Sequence, residues 1–141
     1  MKRILVVDDD SDILELIKNR LQASSYEVIA ASDATDGIKK AQQQKPDLIV
    51  MDIMMPGYTG ADAVKALKSD MTTAHIPVIF LTSVVSHLSP WGESLGINVD
   101  GTFYTSIAKP FQPDKLLFEI KRVISDRATQ SGGLVWQSPR T

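Results

Sequence analysis

The sequence predicts an α/β chain built on an open, doubly wound parallel sheet, and three observations carry that expectation. Short unbroken apolar runs recur at residues 4–7, 48–51 and 78–81, the mark of strands buried on both faces. Stretches with helical apolar spacing separate them. The runs end in polar residues, Asp8, Asp52 and Thr82, as strand ends in such folds do.

In chain order, Ile4-Leu5-Val6-Val7 is the first strand. Residues 12–21 follow as a helix, with Ile13, Leu14, Ile17 and Leu21 on one face; Asp12 with Glu15 three residues later matches a helix-start signature. Residues 27–31 form a second, weaker strand, and residues 35–44 a helix carrying Ile38 and Ala41. Pro46-Asp47 introduces the third strand, and residues 60–69 read as helical through Ala63, Val64 and Leu67. Pro77 opens the fourth strand, and residues 103–108 make the fifth. Pro113 suits the first turn of a last helix whose apolar stripe is Leu116, Leu117, Ile120, Val123 and Ile124. Five such strands joined by right-handed crossovers suit the order 2-1-3-4-5. Residues 83–101 hold Pro90, three glycines and weak periodicity, so the bounds of a fourth helix there are uncertain. The domain is expected over residues 1–125, and 126–141, with Gly132-Gly133 and Pro139, as a flexible tail or linker without an output domain.

Composition narrows the function. The chain has 141 residues, 43% hydrophobic and 23% charged, which suits one globular domain. Its lack of cysteine excludes a disulfide scaffold, a thiol nucleophile and Cys-ligated metal. A net charge of -2 offers no general field for nucleic acid, so no direct nucleic-acid contact is expected. The apolar runs are too short to enter a membrane, and Lys2-Arg3 leads into a stretch that meets Asp8 at once, so a cytoplasmic protein without a signal peptide is expected.

Ligands of such sheets bind beyond the carboxyl ends of the strands. Those ends carry Asp8-Asp9-Asp10, Asp52, Thr82-Ser83 and Lys109-Pro110. Close carboxylates repel unless a cation lies among them, and an oxygen-only set favours a hard ion such as Mg²⁺. A carboxylate can itself be a nucleophile toward phosphorus, with metal, lysine and hydroxyl neutralising the phosphoryl oxygens. An EF-hand loop starting at Asp8 fails, because Ile13 stands where glycine is required and Asn19 where glutamate is required.

Val6-Val7-Asp8-Asp9, Asp52-Ile53-Met54-Met55-Pro56-Gly57 with Gly60, Leu81-Thr82-Ser83 and Lys109-Pro110-Phe111 together resemble the receiver domain of two-component response regulators, of the chemotaxis-regulator type and flavodoxin-like fold. The resemblance implies that Asp52 accepts a phosphoryl group from a sensor histidine kinase or phosphotransfer protein. It implies Mg²⁺, with Mn²⁺ as a substitute, held by Asp8, Asp9, Asp52 and the Met54 backbone carbonyl. Thr82 would bind a phosphoryl oxygen and Lys109 would pair with the phosphoryl group. The protein would then be a signalling phospho-acceptor rather than a turnover enzyme, passing its state to an output protein by contact. Two other readings stand beside it: a receiver-like interaction module independent of phosphate, and a Mg²⁺-dependent phosphohydrolase with an Asp nucleophile.

The chain departs from the family pattern in three places. The stretch between Thr82 and Lys109 is long. Met54 and Val84 are apolar where relatives often carry polar side chains that influence attack by water. Ser106 occupies the place of the usual Tyr or Phe switch, three residues before the lysine, with Tyr104 two residues earlier. The aromatic switch is therefore expected to be absent or displaced, and the conformational change to fall in residues 83–101.

Overall fold

The structure is a computed structural model, and it describes residues 1–55, 57–82, 97–99 and 101–131. Its elements run β1 (Arg3–Val7), α1 (Ser11–Ala23), β2 (Glu27–Ala31), α2 (Ala34–Gln44), β3 (Leu48–Asp52), α3 (Gly60–Lys68), β4 (Val78–Thr82), β5 (Ile97–Val99), β6 (Thr102–Tyr104), β7 (Ser106–Ala108) and α4 (Pro113–Ser131). Five strands form the main sheet in the order β2-β1-β3-β4-β7, every neighbour parallel. This is the predicted 2-1-3-4-5 arrangement, with β7 as its fifth strand.

Successive strand residues face opposite sides, and the apolar runs divide accordingly. Leu5, Val7, Ile49, Met51, Val78 and Phe80 pack with α2 and α3 through Ala34, Ala41, Ala63, Val64 and Leu67. Ile4, Val6, Leu48, Val50, Ile79 and Leu81 pack with α1 and α4 through Ile17, Leu21, Leu116, Leu117 and Ile120. Both faces being covered is why the strands read as continuous apolar runs rather than as alternating ones.

Three expectations are corrected. Residues 103–108 are not one strand. Tyr104 belongs to β6, which pairs antiparallel with β5, whereas Ser106 to Ala108 join β4. Val99 faces Thr102 across a two-residue connection, in which Gly101 takes φ 85 and donates its N–H to Asn98 Oδ1 at 3.0 Å. That left-handed conformation suits glycine, and Asp100-Gly101 is the sequence signal of a hairpin. The N-cap of α1 is Asp10 rather than Asp12. The last helix continues past residue 125 to Ser131, because residues 126–131 contain neither Gly nor Pro and a helix needs no apolar stripe to continue its backbone bonding. Residues 83–96 and 132–141, where the uncertain fourth helix and most of the expected tail fall, lie outside the described residues.

Ser106 is buried on β7, in register with Phe80, while Tyr104 packs edge-on against Phe80 with ring centroids 5.6 Å apart. Tyr104, two residues before the usual switch position, thus sits on the hairpin. Among the described residues no helix is long and apolar enough to cross a membrane.

Candidate functional site

The carboxyl ends of β1, β3, β4 and β7 meet at one rim. Alternation along the strands puts Asp8, Asp52 and Lys109 on the side of Ile4, Leu48 and Ile107, and the contacts agree. Lys109 Nζ lies 2.8 Å from Asp8 Oδ2 and 3.3 Å from Asp52 Oδ2. Asp8 is fully buried and Asp52 nearly so, whereas Asp9 is exposed at the mouth.

The two buried carboxylates are held alike. Asp8 Oδ1 accepts the N–H of Asp10 at 2.9 Å, and Asp52 Oδ1 accepts the N–H of Met54 at 3.1 Å. Each is a side chain bonded to the backbone two residues on, a local turn device of aspartate. One oxygen of each carboxylate is thereby tied down and the other is turned toward Lys109. Asp8 Oδ2 is likewise buried, with the Lys109 ammonium as its partner.

Burial, helped by the neighbouring Asp8 charge, pushes the Asp52 carboxyl above the usual carboxylate range, against the Met54 N–H and the Lys109 charge. Burial also acts to lower the pKa of Lys109, but the two carboxylates outweigh it and hold the ammonium above the ordinary lysine value. A buried carboxylate kept basic beside a fixed cation is suited to nucleophilic attack on an anionic centre.

Asp8, Asp9 and Asp52 each offer an oxygen, all within 4.8 Å of one another. Three hard oxygen donors, two of them on buried aspartates, fit a hard divalent ion. Such an ion also offsets the repulsion that one lysine cannot neutralise.

Thr82 is buried at the last position of β4, and its carbonyl accepts the Lys109 N–H at 2.6 Å, so strand pairing brings both residues to the same rim. The Lys109–Pro110 peptide is cis. Met54 follows Asp52 with its side chain largely exposed. Asp47, at the opposite end of β3, accepts the Arg3 N–H at 2.8 Å and belongs to the amino-end framework.

Two contributions were not read from sequence. Asp10 both caps α1 and holds Asp8; its signal was an aspartate three residues before Ile13, the first apolar residue of the helix. Gly60 closes the loop after β3, its N–H bonded to Ile53 O at 2.8 Å. A Cβ there would lie 2.7 Å from Asp52 O and from Ile53 Cα, both backbone atoms. Gly60→Ala is therefore expected to destabilise the fold by about 1–3 kcal/mol and to slow chemistry at Asp52. Urea unfolding together with acetyl phosphate labelling checks this; a variant equal to wild type in both would show that the close approach does not constrain Asp52.

Comparison with known proteins agrees with this geometry. The family described as the response regulator receiver domain matches residues 4–121. The alkaline phosphatase synthesis transcriptional regulatory protein PhoP of Bacillus subtilis (strain 168) is 35% identical over 123 residues, covering 87% of this chain and 48% of that protein. This chain thus spans about half the length of PhoP. Protein PilH of Pseudomonas aeruginosa is 33% identical over 126 residues, covering 89% of this chain and 99% of PilH. The crystal structure of the receiver domain of sensor histidine kinase PA1611 from Pseudomonas aeruginosa PAO1 has a magnesium ion coordinated in its active site cleft. It is 25% identical, with a TM-score of 0.73, and covers 88% of this chain and 98% of that one.

Proposed function

This chain belongs to the response regulator receiver domain family, and on that premise we propose that Asp52 is the carboxylate that takes the phosphoryl group. Receiver domains are phospho-acceptor signalling modules that bind Mg²⁺ at their acidic site and interact with histidine kinases or phosphotransfer proteins. The observation that carries the assignment is the placing of Asp52 Oδ2 3.3 Å from Lys109 Nζ within the Asp8, Asp9 and Asp52 cluster.

An Asp52 oxygen attacks phosphorus while the bond from phosphorus to the donor histidine nitrogen breaks. The imidazole keeps the electron pair and takes up a proton, and an acyl phosphate remains on Asp52. Lys109 moves its charge to the phosphoryl group, and the Thr82 hydroxyl donates to a phosphoryl oxygen. Asp8, Asp9, Asp52 and the Met54 carbonyl would hold Mg²⁺, which when bound neutralises charge on the transferring group; Mn²⁺ serves in its place. Loss of the phosphoryl group by water attack proceeds at the same residues. Signalling through contact with an output protein, and a cytoplasmic location, belong to the same reading. Recovery in the membrane fraction would count against that location.

Acetyl phosphate with Mg²⁺ is expected to add one phosphoryl group per chain, followed by intact mass. Continuous release of many phosphates per chain would instead identify a phosphohydrolase. The receiver unit is proposed to close with α4, so a chain ended after Ser131 should be labelled equally; loss of folding or labelling would make 132–141 part of the domain.

A further inference from the structure

We propose that Asp10 is a positioning residue for the metal site, acting through Asp8; the inference rests on the Mg²⁺ reading above. Asp10 itself is exposed and makes no described contact with Lys109 or Asp52. Its hydrogen bonds run in two directions. Its side chain caps α1, accepting the N–H groups of Asp12 at 2.9 Å and Ile13 at 3.3 Å, and its carbonyl accepts that of Leu14 at 3.1 Å. Its own N–H donates to Asp8 Oδ1 at 2.9 Å. The cap therefore fixes the peptide whose N–H orients Asp8.

Asp8 is fully buried, so the orientation of its carboxylate matters. With Oδ1 bonded to Asp10, only Oδ2 is left toward Lys109 and the acidic cluster. If the turn relaxes, Oδ1 becomes an unsatisfied buried oxygen and the carboxylate loses its fixed rotation. Asp8 then has to be oriented when the ion binds rather than beforehand, which lowers affinity.

The test is a Mg²⁺ titration by calorimetry, with thermal unfolding measured in chelator. Asp10→Ala should weaken Mg²⁺ binding about 5-fold, the equivalent of one lost N-cap. Asp10→Asn and Asp10→Ser, which still cap, should stay within about 2-fold of wild type. Asp10→Gly, a milder loss that keeps the helix folded, should fall between them. Affinity that follows capping strength supports the proposal. Unchanged Mg²⁺ affinity in Asp10→Ala and Asp10→Gly, with lowered stability alone, would overturn it, since the cap would then serve only the helix. Asp10→Asn as weak as Asp10→Ala would also overturn it, because the charge would be acting through its field. A wild-type protein that binds no Mg²⁺ would remove the metal reading itself, and this inference with it.

Discussion

Asp52→Asn is expected to lose phosphoryl acceptance by on the order of 100-fold or more, and at the same time to be more stable than wild type at neutral pH. The first effect follows from the nucleophile: an amide nitrogen or oxygen at this position does not form the acyl phosphate. The second follows from the pKa of Asp52, which burial raises above the usual carboxylate range in the folded chain. Between the unfolded value, about 3.9, and the raised folded value, the native state holds a proton that the unfolded state has released. The stability that Asp52 contributes is thus full below the unfolded pKa and is lost as pH rises through the folded one. At neutral pH the wild type carries a desolvated charge that Asn lacks, while Lys109 keeps Asp8 at 2.8 Å. Labelling by acetyl phosphate and unfolding curves from pH 3 to 8 give both readouts. The stability gap should open with rising pH; full labelling of Asp52→Asn would move the acceptor to another residue.

Removing the divalent ion should be nearly as damaging. Chelation is expected to bring labelling to background, and Asp9→Ala to weaken Mg²⁺ binding at least about 10–100-fold, the scale seen when even outer-shell partners of a metal are removed. Without the ion, three carboxylates face the incoming phosphoryl group, opposed by Lys109. Asp9 is the exposed member of the cluster, so its replacement leaves no cavity and the fold should hold. That separates loss of metal from loss of structure. Asp8→Ala is a poorer test, because Asp8 is fully buried and bonded to the start of α1. Labelling that survives chelator, or Asp9→Ala with wild-type Mg²⁺ affinity, would exclude the metal role assigned to this cluster.

The amino-acid sequence by itself determined the sheet, its order and the rim where the chemistry sits. β1, β3 and β4 are apolar on both faces, and burial on both faces leaves a local trace that any window of five residues displays. The strand ends carry that legibility to Asp8, Asp52 and Thr82, because a strand's polar end is adjacent in sequence to its apolar body. Lys109 was legible through the Pro-Phe that follows it. Other features depended on partners distant in sequence. Whether residues 103–108 make one strand or two is decided by which backbone each half pairs with, Tyr104 with Ile97 and Ser106 with Phe80. The end of α4 depends on continued backbone bonding where the apolar stripe has already stopped. In sequence Asp12 with Glu15 carries the helix-start signature; only the folded turn shows Asp10 bonding forward to α1 and back to Asp8. The division of labour between Oδ1 and Oδ2 of the two buried carboxylates is likewise tertiary. Residue spacing carries periodicity, but the direction of a hydrogen bond exists only once the strands have brought Lys109 between Asp8 and Asp52.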